Sequence, residues 1–141
     1  MFNSRTIKEL KIGDSETLTM TIEEENIEAF ARATGDFNPI HMDQEYAEST
    51  PFGKRVVHGV LLNGIVSGLL GTKLPGLGTV AREITSKFSR PILMGDTVTV
   101  TAEVADIREK YNICTLKYNV RNQEGKIAVK GEAVVLPKQE E

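Results

Sequence analysis

One segment restricts the possible folds more than any other: VVHGVLLNGIVSGLLGTKL, residues 56–74. Apolar residues fall on nearly every side of a helix drawn through it, and a helix apolar all round is a buried helix. It is interrupted by His58, Asn63 and several glycines, and it falls short of the roughly 18 apolar residues that argue for a membrane span. Its small residues, Gly59, Gly64, Ser67 and Gly68, each cost helix propensity, about 1 kcal/mol for a glycine. Close approach of another backbone or a ligand is the usual compensation. The chain therefore has to supply a surface that surrounds this helix.

The C-terminal half supplies it. TVTVTAEV, residues 97–104, alternates with period two, as do Leu116, Tyr118 and Val120. Ile127, Val129 and the run from Ala133 to Leu136 complete a last strand, and Thr79 to Phe88 reads as an earlier one, closed by Pro91. Met94-Gly95-Asp96 and Asn122 to Gly125 mark turns between strands. Upstream, Glu16 to Met20 reads as a short strand. A helix then starts at a capping box of Thr21 and Glu24, with Glu23 to Glu25 at its positive end. Ile27, Phe30 and Ala31 have helical spacing, and Thr34-Gly35 ends that helix. The order is strand, helix, loop, buried helix and about four long antiparallel strands, an α+β design in which a sheet wraps one central helix.

The loop is GDFNPIHMD, residues 35–43, which holds one of the chain's two histidines. Pro39 fixes its own φ and pushes Asn38 out of the α region, so the turn is rigid. Asp36 and His41 can then face one small volume, where a carboxylate and an imidazole around one water form a proton-transfer unit. Asn38 would fix the loop or the water. Asp, Asn and Pro are also common turn formers, so on residue types alone the catalytic and structural readings both stand. Asp36, His41 and Asp43 are too few and too generic as ligands to name a metal. Asp43 is better placed as the cap of a short helical turn through Ala47. At the start of the buried helix, free N–H groups at Gly59 would stabilise a developing oxyanion; Gly59 also reads as a packing glycine, and His58 as a structural histidine.

Composition narrows the function class. The 141 residues carry a net charge of -3, which gives no broad positive field for nucleic acid or an anionic membrane. Cys114 is the only cysteine, so neither an intrachain disulfide nor a thiolate zinc cluster can form. It reads as a buried inert thiol. The opening MFNSRTIKEL has no apolar h-region, which points to a cytosolic protein.

From Phe30 through FARATGDFNPIHMD to Ala47, the chain resembles the hydratase-2 signature of the MaoC-like family, the (R)-specific enoyl-CoA hydratases of the hot-dog fold. VHGVLLNGIVSGLLG resembles that family's central helix, and FSRPILMGDTV and KGEAVV resemble its sheet segments. The similarity runs from about Glu16 to Val135, and it implies one domain over the whole chain. It also implies that Asp36 and His41 hold one water over the β-carbon of a trans-2-enoyl-CoA. Asn38 orients the dyad, the Gly59 N–H polarises the thioester carbonyl, and the product is an (R)-3-hydroxyacyl-CoA. Ser67, Leu70 and Val134 would form the floor of a short acyl tunnel for about four to six carbons. No metal or organic cofactor is implied, and the expected partner is a second copy in a homodimer. Lys87 and Arg90 are candidates for the CoA phosphates. The alternatives are an acyl-carrier-protein or specialised thioester as substrate, a thioesterase, and a non-catalytic acyl-CoA binding module.

Overall fold

The computed structural model describes residues 2–140. Strand β1 (Ser15–Thr21) leads into helix α1 (Glu24–Thr34) and two short helices, α2 (Pro39–Met42) and α3 (Gln44–Glu48). Helix α4 (Gly59–Thr72) follows, then strands β2 (Val80–Phe88), β3 (Thr97–Arg108), β4 (Ile113–Arg121) and β5 (Ile127–Leu136). The strands make one sheet in the order β1-β3-β4-β5-β2, with every neighbouring pair antiparallel.

The period-two pattern decides which side of the sheet α4 occupies. Val98, Val100, Ala102 and Val104 of β3 are buried, as are Leu116, Tyr118 and Val120 of β4. They pack with Leu61, Leu62, Val66, Leu69 and Leu70 of α4 in one continuous core. Cys114 lies in that core, where burial pushes its thiol up to about 12, so it is an inert packing residue. On the opposite face the alternate positions are polar, and Thr19–Thr99 and Thr21–Thr97 pair through their hydroxyls at 3.1 and 2.8 Å.

Two expectations are corrected. Thr21 does not cap α1, because its hydroxyl and its backbone stay committed to Thr97 in the β1–β3 ladder. Ile22, fully buried, makes the crossing, and the cap falls two residues after Thr21, at Glu23, whose N–H donates to Asn26 Oδ1 at 2.8 Å. Nor is α4 covered on all sides within one chain. Val60, Gly64, Ser67 and Gly68, spaced along one stripe, are exposed, Val60 to 61%. The sheet wraps one side of the helix and leaves this stripe bare. No helix among the described residues is long and apolar enough to cross a membrane.

The edge strand β2 is tied to the core by a polar bridge. Tyr118 lies opposite Gly131, and its hydroxyl donates across that glycine to the Thr85 carbonyl at 2.8 Å. It also meets the Ser86 hydroxyl, which donates to Asn63 Oδ1 of α4 at 2.7 Å. A Cβ at position 131 would lie 1.9 Å from the Thr85 carbonyl oxygen and 2.7 Å from the Tyr118 hydroxyl. Gly131→Ala must therefore move backbone as well as the tyrosine. A loss beyond the roughly 1–3 kcal/mol usual for overpacking is expected in urea unfolding. A loss under about 0.5 kcal/mol, the range of ordinary surface changes, would show that the bridge does not anchor β2.

Candidate active site

Local chemistry shapes the turn between α1 and α3. Gly35 closes α1 in the left-handed conformation, φ 81°. Asn38 then caps α2, its Oδ1 accepting from the Ile40 N–H at 3.2 Å, with Pro39 at the first helical position. Asp43 caps α3 by accepting from the Tyr46 N–H at 3.1 Å, as its place in the sequence predicts. What reads as a plain loop is thus a loop with one helical turn inside it. Asn38 serves that turn's backbone, which is the loop-fixing role expected of it.

The segment just before α4 lies along this turn and holds it. The Val56 N–H donates to the Ile40 carbonyl at 3.0 Å, and His41 Nδ1 meets the Val56 carbonyl at 2.5 Å. Arg55, only 5% exposed, donates from Nε to the His41 carbonyl at 2.6 Å and from Nη1 to Glu24 at 2.7 Å. His58 Nε2 lies 3.0 Å from the Asp36 carbonyl. Every loop atom these groups meet, apart from the His41 ring, is backbone, so the clamp fixes the path of the chain and leaves the Asp36 carboxylate outside these bonds.

A carbonyl oxygen can only accept, so each ring turns an N–H to its partner, Nδ1–H in His41 and Nε2–H in His58. In the neutral form of each ring the other nitrogen, Nε2 of His41 and Nδ1 of His58, then carries the lone pair. The rings stack at 4.0 Å between centroids with 29° between planes. One ligating atom from each of Asp36, His41 and His58 lies within 4.8 Å of the others. The Asp36 carboxylate and His41 Nε2 are the atoms left to handle a proton. Gly59, first residue of α4, has no intrahelical acceptor for its N–H.

His41 and Gly59 open onto a pocket of about 380 Å³ that is also lined by Val57, Leu62, Phe88 and Arg90 among others, with Asp36 beside it and not in its wall. A Cβ on Gly59 would lie 2.9 Å from the Phe88 ring, so the missing side chain makes room for that aromatic wall. A groove of about 400 Å³ on the far face of the sheet, with Lys87, Lys117 and Lys130, contains neither member of the dyad.

The structure therefore brings Asp36, Asn38, His41 and Gly59 to one end of α4, and Arg90 to the same pocket. Lys87 lies on the far groove instead. The three floor residues do not converge. Ser67 is on the bare stripe, Leu70 is in the core, and Val134 lies on the sheet face away from α4, since strand parity turns Ala133 and Val135 inward. The sequence carries little sign of the part Arg55 plays: it is one charge beside an apolar run.

Comparison with known proteins identifies the family of the fold. The model of the MaoC like domain matches residues 8–125. An (R)-specific enoyl-CoA hydratase from Aeromonas caviae is 40% identical over 89% of this chain and 94% of its own length. A 3-hydroxybutyryl-CoA dehydratase from Methylorubrum extorquens is 38% identical over 95% of this chain and 85% of its own. Among solved structures, an unliganded R-hydratase from Pseudomonas aeruginosa superposes with a TM-score of 0.93 at 36% identity, covering 97% of this chain and 88% of that one.

Burial pushes the His58 imidazole below the ordinary histidine value of 6.5; His41 and Arg55 push the same way, against the bond to the Asp36 carbonyl and the Asp36 charge. The unfolded chain takes up this proton near pH 6.5 while the native chain resists it, so stability is full above that pH and falls as pH drops below it. Urea midpoints are expected to fall between pH 7.5 and 5.5, and to fall less in His58→Phe. Equal slopes in the two proteins would place the pH dependence elsewhere.

Proposed function

The chain belongs to the MaoC-like family, with its hot-dog fold, and on that premise we propose that it is an (R)-specific hydro-lyase that adds water to short-chain trans-2-enoyl-CoA. One observation carries the reading. A carboxylate oxygen of Asp36 and a ring nitrogen of His41 lie within 4.8 Å of each other beside the N-terminus of α4, and His41 borders a pocket walled largely by apolar side chains. The short-chain preference is supported by the similarity to a 3-hydroxybutyryl-CoA dehydratase, and no longer by the floor residues.

The chemistry follows from the free atoms. A water between the Asp36 carboxylate and His41 Nε2 gives up a proton to one of them as its oxygen bonds to the β-carbon. The electron pair shifts through the α-carbon to the thioester oxygen, where the Gly59 N–H and the positive end of α4 stabilise the charge. The pair then returns a proton to the α-carbon from the same face, giving the (R)-3-hydroxyacyl thioester. The thioester is the electron sink, so the scheme uses no cofactor. Arg90 is the cation in this pocket for a CoA phosphate.

The reading includes a homodimer. The bare stripe of α4 lies beside the free edge strand β2, and Val80 and Phe88 on that strand are 61% and 50% exposed. A second copy would cover both and pair the edges. A Cβ at Gly64 meets nothing within 4 Å in the single chain. Gly64→Arg is therefore expected to stay folded but to sediment as the 15.5 kDa monomer, where the wild type sediments at about twice that mass. A wild-type protein that sediments as a monomer would sink the dimer.

The activity is tested by loss of the enoyl-thioester absorbance of crotonyl-CoA, followed by chiral analysis of the product. Asp36→Asn and His41→Ala are each expected to lose about 10²–10⁴-fold in kcat, the usual scale for a general acid–base group. Their combined loss should fall well short of the product, because both act on one water. Faster turnover of the matching carrier-protein thioester would move the substrate class to the one named for a relative from Arabidopsis thaliana, 28% identical over 90% of this chain. Binding of crotonyl-CoA without its consumption would reduce the protein to a binding module.

A further inference from the structure

Resting on that reading, we infer that His58 is the positioning residue of the dyad: its Nε2–H holds the Asp36 carbonyl while its ring stacks on His41, so one side chain sets the spacing of both catalytic groups.

The proposed chemistry gives His58 no part. His58 is 2% exposed, in the apolar core, and it makes no side-chain cap to α4 although it stands at the capping position. A histidine buried this deeply gives up its hydration, and a neutral phenylalanine or leucine would fill the space without that cost. Its one polar contact is the 3.0 Å bond to the Asp36 carbonyl, 22 residues away in sequence. Its Nδ1 is buried with no partner among the described residues. The residue therefore makes half of its possible hydrogen bonds, and that half goes to the backbone of a proposed catalytic residue.

The ring faces do the rest. One side of His58 stacks on His41 at 4.0 Å, and Phe30 of α1 meets the ring at 4.7 Å with a 51° tilt. His58 thus contacts both α1, through Phe30, and the catalytic imidazole, and these two contacts restrict its ring. His41 is held from the other side by the Val56 carbonyl on Nδ1 and by Arg55 on its backbone. The stack fixes the remaining freedom, the tilt of the ring that aims Nε2. Asp36 has fewer restraints: Asn38 N–H reaches its Oδ1 at 3.3 Å, and its own N–H reaches the Thr34 hydroxyl at 3.2 Å. The His58 bond is the only one in the clamp that ties Asp36 to α4.

Neutrality follows from the same contacts. The groups facing His58 are the Asp36 carboxylate, the His41 ring and the Arg55 guanidinium. A proton added at Nδ1 would be buried with no hydrogen-bond partner among the described residues, next to the guanidinium and the second imidazole, with the Asp36 charge the one group in its favour. His58 therefore keeps its Nε2–H form while it holds the loop.

Because the chain has two histidines, the imidazole nitrogen spectrum of a ¹⁵N-labelled sample contains two rings only. His58 is expected as the neutral Nε2–H tautomer at pH 7.5, and His41, when neutral, as the opposite Nδ1–H tautomer. This measurement does not depend on activity, so it tests the contact even if crotonyl-CoA is not a substrate. The kinetic arm uses two variants. His58→Phe keeps the stack and loses the donor; His58→Gln places an amide donor near the position of Nε2. Positioning predicts that His58→Phe loses at least tenfold in kcat with KM changed less than about threefold, and that His58→Gln recovers most of that loss. An Nδ1–H or charged His58 in the spectrum overturns the inference. So does a folded His58→Phe with wild-type kcat, or a kcat loss that His58→Gln fails to restore. If His58→Phe does not fold, the spectrum and His58→Gln decide it, and a tenfold loss in a folded His58→Gln counts against.

Discussion

The structure depends on burying α4 against one face of a single sheet. Each fully buried leucine on that helix contributes about 1.5–3 kcal/mol relative to exposure, and five apolar residues of α4 lie in the core. That burial fixes the helix axis, and with it the place where its first N–H groups point. A helix N-terminus is useful to chemistry only if reacting groups can be held against it. Here the connection 55–58, which enters the helix, also clamps the turn that carries Asp36 and His41. The packing that stabilises the fold therefore also registers the site.

Much of this was legible because it rests on short-range chemistry. Gly35 as a left-handed helix end, Asp43 as a cap and the turn at Asn122 to Gly125 involve residues within a few positions of one another. Their side chains have few other options. The alternating strands were legible for a similar reason, since the solvent side and the core side differ in chemistry at every step. The Thr21 cap failed because two local fits competed, and the β1–β3 ladder, a long-range pairing, took the threonine. Val134 failed by parity: in KGEAVV the two adjacent valines face opposite sides, and only the register against β4 tells which is inward.

Two further features were invisible for a different reason. The partner of Arg55 is a carbonyl 14 residues away, and every residue has a carbonyl, so no side-chain pattern points to it. The exposure of Ser67 and Gly68 could not be told from burial because the helix pattern records that a face is apolar or small, not what covers it. A stripe of small residues is compatible with a packed neighbour in the same chain or in another. The sheet here has no strand left to cover it.

The bare stripe and the site are not independent. Val60 begins the stripe and Gly59, its neighbour, carries the N–H proposed for the thioester oxygen. Phe88 ends the edge strand β2, is half exposed, and packs on Gly59 so closely that a methyl group would not fit between them. In the proposed dimer a second copy laid along α4 and β2 would touch Val60 on one side and Phe88 on the other. It would then restrict the motion of the aromatic wall that borders the reacting carbonyl. Assembly and catalysis would share one helix end, which would give a physical reason for this fold to keep an apolar edge exposed to a partner.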